Sequence, residues 1–143
     1  MSSAIDDLWP ADIARVTDKL PPITILKQQA SLLGQRTKNI VEAEVETTSN
    51  DKGGLRHTLY LVAPALDFYR HPLLEVEHEV TRMYPAMIKV TGLNIPKKAY
   101  RAINEAFFMK ILRSIFAHQE TKEVIGNLLV QSGVKVSPAI KTR

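Results

Sequence analysis

The stretch Val41-Glu42-Ala43-Glu44-Val45-Glu46-Thr47-Thr48, echoed further on by Leu74-Glu75-Val76-Glu77-His78-Glu79-Val80, decides the fold. Alternate residues of a strand share a face, so Glu42, Glu44 and Glu46 line up opposite Val41, Ala43 and Val45. In the same way Glu75, Glu77 and Glu79 line up opposite Leu74, Val76 and Val80. A sheet with one buried face and one acidic, wet face follows.

Working outward, the alternation predicts strands over 39–48 and 73–80. The turn formers Ser49-Asn50-Asp51-Lys52-Gly53-Gly54 make a hairpin after the first. The return strand, 55–63, buries Leu59 and Leu61 and places Arg56, Thr58 and Tyr60 on the glutamate face. A loop spanning Ser49 to Gly53 sets Glu46 across from Arg56, Glu44 across from Thr58 and Glu42 across from Tyr60. A one-residue slip would bury glutamates. A fourth strand, 86–91, follows the Met83-Tyr84-Pro85 break, and the short links favour an antiparallel meander.

Helical spacing flanks this β zone on both sides. Ile13, Val16 and Leu20 recur after Pro10 and predict a short helix that Pro21-Pro22 ends. A second helix is expected over 22–35, with Ile23, Leu26, Ala30 and Leu33 as its stripe and Gly34 near its close. After the sheet, 99–116 carries Ile103, Phe107, Ile111 and Ile115 in one row and Phe108, Leu112 and Phe116 in another. His118-Gln119-Glu120-Thr121 interrupts the pattern, and Thr121 is placed to cap a last helix bearing Val124, Ile125, Leu128 and Leu129. The expected architecture is α+β: a four-stranded antiparallel sheet (39–48, 55–63, 73–80, 86–91) with two N-terminal and two C-terminal helices on one face. Residues 1–143 form a single domain in this reading, with a loose basic tail from about 135.

Composition suits such a domain. The chain has 143 residues, 45% hydrophobic and 24% charged, enough to bury a core without staples. With no cysteine it has no disulfide, thiolate metal site or cysteine nucleophile. Residues 2–7 lack the basic and apolar regions of a signal peptide, and the longest apolar run, Leu59 to Leu66, is too short to span a bilayer. The expectation is a cytoplasmic protein without a membrane partner. Net charge is +4, unevenly placed: up to Thr91 ten Lys/Arg face twelve Asp/Glu, and from Gly92 on nine face three. A basic helical end complementing an acidic sheet, within the molecule or across an oligomer, accounts for that asymmetry without a basic-aromatic nucleic-acid motif.

No residue pattern names an activity, a catalytic residue or a cofactor. The glutamate ladder has the hard oxygen donors that a divalent cation takes, and Asp67 with Glu75-Val76-Glu77 is similar in spacing to an endonuclease-type core. Glu77, however, stands where such cores carry lysine, and cross-strand pairs with Arg56 and Lys89 explain the face as well. Strand alternation turns His78 away from Glu77 and Glu79, so His57 and His78 fall on the inner face. His118 is placed at a helix end, where a cation is favourable, and His71 in a loop. No phosphate-binding glycine loop or nucleophile elbow is present. The connection Pro64 to Pro72 holds Phe68, Tyr69, Arg70 and His71, a mixture of aromatics and arginine suited to binding. An aromatic in a connection more often packs, however, and the preferred reading is that Leu66 and Phe68 plug the sheet edge while Arg70 pairs with a glutamate.

The favoured reading is therefore a non-enzymatic interaction or regulatory module, self-associating as a homo-oligomer or binding another protein. It rests on more amphipathic helix surface than one sheet face can cover. One alternative is nucleic-acid binding through Lys97, Lys98, Arg101, Lys110, Arg113 and the tail. The other is a small metal-dependent enzyme using Glu42, Glu44, Glu75 and Glu77. Because Phe107, Phe108, Ile111, Leu112, Ile115 and Phe116 cover more than a narrow stripe, their helix needs a second contact besides the sheet, within the chain or on another subunit.

Overall fold

The computed structural model describes residues 5–134. It contains α1 (Pro22–Arg36), β1 (Glu42–Ser49), β2 (Gly54–Ala63), a 3-10 turn (Pro64–Leu66), β3 (Tyr69–Glu79), β4 (Ala86–Val90), β5 (Ala99–Ala102), α2 (Glu105–Ala117) and α3 (Gln119–Gln131). The strands make one antiparallel sheet in the order β1-β2-β3-β4-β5. Leu59, Leu74, Val76 and Ile88 of its apolar face pack with Ile25 and Leu26 of α1, Phe108 and Leu112 of α2, and Leu128 of α3. The fold is α+β with an antiparallel sheet, as the alternation predicts. Among the described residues it has five strands and three α-helices in place of four of each.

The helix expected after Pro10 does not form. Isolated turns, with Ile13 N–H bonded to Pro10 O at 3.1 Å and Arg15 N–H to Asp12 O at 3.0 Å, stand in its place. A short helix cannot offset its nucleation cost without a surface to pack on, and here Ile13 and Val16 face solvent. The expected tail from 135 lies outside the described residues.

The fifth strand comes from the start of the long helix predicted over 99–116. Ala102 pairs with Ala86 and Tyr100 with Ile88, and the helix begins only at Glu105, where the Asn104 side chain accepts the N–H of Phe107 at 2.9 Å. An asparagine N-cap two residues after the last strand residue is the boundary signal that periodicity alone overlooks.

In the hairpin, Glu46 lies opposite Thr58, Glu44 opposite Tyr60 and Thr48 opposite Arg56. The expected pairing is displaced by two residues, which preserves the faces. The cause is a tighter loop: Asn50 N–H bonds Gly54 O, the Asn50 side chain accepts from Lys52 and Gly54 N–H groups, and Gly53 takes φ +76°. Three residues with a left-handed glycine at the end close the turn.

The connection expected over 64–72 is shorter than that, a 3-10 turn and two further residues, because β3 begins at Tyr69. Proline is tolerated at position 72 because β4 covers only Leu74 to Glu77 of β3. The ladder shifts register between Leu59 and Tyr60, so Leu73 is the extra residue of a bulge. Beyond it, Thr91 and Gly92 N–H groups both bond Leu73 O at 3.0 Å. A Cβ on Gly92 would fall 2.1 Å from Pro72 O, so only glycine fits this approach.

On the helical side, Phe108, Leu112 and Ile115 are the buried members of the two predicted rows. Ile103 lies outside the helix, and Phe107 stays 43% exposed. A single residue, His118, separates α2 from α3. Its Nδ1 accepts the N–H of Glu120, so it caps α3 as an acceptor and does not serve as a helix-end cation. Thr121 lies inside α3, and its hydroxyl donates to Ile115 O at 2.6 Å, fastening the two helices together.

Candidate functional site

The acidic face is partly paired across strands. Arg56 lies 3.7 Å from Glu75 and 3.3 Å from Glu77, and Arg70 reaches Glu46 at 3.5 Å while stacking 3.9 Å over the Tyr60 ring. Among the described residues no three His, Asp or Glu side chains converge as a metal-ligand group. Arg70 is thus tied down by β1 and β2. Phe68 and Tyr69 are 69% and 49% exposed, with Asp67 and Phe68 both in the left-handed region at φ +59° and +55°. His71 Nε2–H donates to Gly92 O at 2.8 Å and helps hold the turn after β4. The four residues Phe68, Tyr69, Arg70 and His71 do not converge, since strand alternation sends Arg70 to the outer face and its neighbours the other way.

The basic residues are also divided. Arg101 is on the outer face opposite Met87, Lys97 and Lys98 lie in the β4–β5 connection with Lys97 against Tyr100, and Lys110 and Arg113 project from α2 on the helical side.

A hydrogen-bonded relay crosses the rim of the inner face. Thr47 Oγ1 lies 2.8 Å from His57 Nδ1, His57 Nε2 lies 2.9 Å from His78 Nε2, and His78 Nδ1 lies 2.8 Å from Glu79 O. A carbonyl only accepts, so neutral His78 carries its proton on Nδ1 and accepts at Nε2. His57 therefore donates from Nε2 and accepts the Thr47 hydroxyl at Nδ1. Burial, then the neighbouring His78, then Lys27 lower the His57 pKa from 6.5 to about 4.

A concavity lies over the apolar face, where α1 and the α2–α3 pair do not close on each other. It is a cleft of about 720 Å³ floored by Ala43, Leu59, Leu61 and Leu73. Its walls are Ala30 and Leu33 of α1, Met109 and Phe116 of α2, and Ile125 of α3. Arg36, Arg113 and Lys122 stand around it, while no carboxylate among the described residues lines it or pairs with these three cations. An apolar hollow with a one-sign rim favours an amphipathic, acidic occupant. Phe116 packs against the core of its own chain and turns its remaining surface to this hollow.

Of these features, Arg113 is the sequence-predicted site residue that the cleft includes. Arg36, Lys122 and the His57–His78 contact escape sequence reading, because each depends on which elements meet. The relay had one available signal: on antiparallel strands, His57 and His78 are diagonal neighbours once Arg56 is paired with Glu77. Comparisons with protein-family models, with curated proteins and with solved structures find no match to this chain.

Proposed function

We propose that this protein is a non-enzymatic interaction module whose docking surface is the cleft between α1 and the α2–α3 pair. The occupant is an amphipathic peptide segment with acidic flanks, laid helix-in-groove along the apolar floor. The observation that carries this reading is the rim of Arg36, Arg113 and Lys122 around a hollow lined by alanine, leucine, methionine and phenylalanine. Apolar burial supplies affinity, and the cations select the sign of the partner. The nucleic-acid alternative has less support, because its five described residues are split between opposite layers.

The test is fluorescence anisotropy with two designed labelled helices, identical on the apolar face and carrying either glutamates or lysines on the polar face. The acidic helix binds, binding weakens with salt, and Arg113→Glu with Lys122→Glu abolishes it. Equal binding of both helices, or none of the acidic one, removes the proposal.

A further inference from the structure

Segment 5–20 is the described stretch that does not pack. Ile5, Leu8, Trp9, Ile13 and Val16 are all exposed, Trp9 at 71% and Val16 at 85%. Their order is not random: Ile13, Val16 and Leu20 follow helical spacing after Pro10, which is suited to a helix's first turn, and Ile5, Leu8 and Trp9 lead into it. Between them stand Asp6, Asp7, Asp12 and Asp18 against only Arg15 and Lys19. The segment is an acidic, apolar-studded stretch that packs on nothing in the single chain, and the cleft is an apolar hollow with a cationic rim.

We infer that the two belong together across molecules: segment 5–20 of one copy docks in the cleft of a second, folding into a helix from Pro10 as it does so. This identifies the occupant of the docking surface proposed above and rests on that reading. Trp9 is the natural anchor, since a hollow of about 720 Å³ readily admits an aromatic of its size together with flanking apolar side chains. The segment is rooted at the far end of α2 from the cleft. Leu20 N–H donates to Glu105 Oε1, and Tyr84 OH donates to Leu20 O at 2.8 Å, holding the root at the start of α2. The cleft runs instead along Met109 to Ala117, the other end of that helix. In the single chain the segment lies outside its own cleft, with Trp9 and Val16 exposed, whereas a second copy approaching on a twofold axis gives and receives one segment each way.

Trp9 is the sole tryptophan of the chain, so its emission reports docking directly. The full-length protein is followed over a wide concentration range by sedimentation equilibrium and tryptophan emission together. The expected result is a monomer–dimer equilibrium in which the emission shifts to the blue in step with the dimer fraction. Trp9→Phe would silence the probe, so Ile13→Asp, read by emission and mass, and Trp9→Ala, read by mass alone, serve as the variants. Both positions are exposed in one chain, so both variants fold, and each weakens dimerisation by at least about tenfold. Arg113→Glu with Lys122→Glu weakens it as well. A monomer with water-like emission throughout overturns the inference, as does a dimer indifferent to Trp9→Ala and Ile13→Asp. Blue-shifted emission in a monomer overturns it too, because the segment would then occupy its own cleft. If the chain stays monomeric yet the designed acidic helix binds in the charge-dependent way described above, this inference alone falls and the docking surface stands.

Discussion

His57 and His78 share one hydrogen bond, 2.9 Å between their Nε2 atoms, from neighbouring strands of the sheet. His57 is 1% exposed and its pKa is lowered, so its ring is neutral at pH 7; charging it means desolvating the cation and turning the Thr47 hydroxyl from donor to acceptor.

Stability should therefore fall on acidification. The His57 pKa is lowered in the folded state to about 4 from 6.5, so the unfolded chain binds more protons between those values. The contribution is complete above pH 6.5 and is lost as pH falls towards 4, amounting to up to about 3 kcal/mol. Urea titrations at several pH values across that window should show the slope, and His57→Phe should flatten it.

Gly92→Ala and Gly126→Ala should have opposite signs. A methyl at 92 meets Pro72 O and the His71 ring, costing roughly 1–3 kcal/mol. Gly126 lies within α3 with nothing within 4 Å of its Cβ position, so alanine there should gain about 0.5–1 kcal/mol. Thermal unfolding of the two variants beside the parent decides both.

Tyr84→Phe removes the hydroxyl that donates to Leu20 O and should cost about 1 kcal/mol. Burial, assisted by Glu105, pushes the Tyr84 pKa up to about 12. In an alkaline spectrophotometric titration the last phenol to ionise should be missing from Tyr84→Phe.

Arg56→Met should lower stability by no more than about 1 kcal/mol, because the ion pairs to Glu75 and Glu77 are partly solvated. The deficit should shrink as salt is added, since screening also relieves the repulsion left between the two glutamates. Denaturant midpoints at low and high ionic strength provide the comparison.

The sheet was legible in the sequence because strand alternation has a period that burial enforces residue by residue. Glu44, Glu46, Arg56 and Glu77 fall on the face that the pattern assigns them, even though the hairpin is two residues tighter. Where the reading went astray, a local device overrode periodicity. Asn104 ended a run that looked helical from Ala99, the bulge at Leu73 let strand continue through Pro72, and segment 5–20 had helical spacing without a surface to use it on. The cleft was less legible still, because Arg36, Arg113 and Lys122 are separated in sequence and meet only through the splay of three helices.

Every ladder of the sheet joins strands that follow one another along the chain, as in the row Leu59, Leu74 and Val90, whose members are separated by about fifteen residues. Closing such loops costs little chain entropy, so the sheet can zip hairpin by hairpin from the tight turn at Asn50 without first bringing distant segments together. Folding should accordingly be rapid for a protein so rich in strand. Its slower task is the late one of seating α1, which precedes the meander, beside α2 and α3, which follow it.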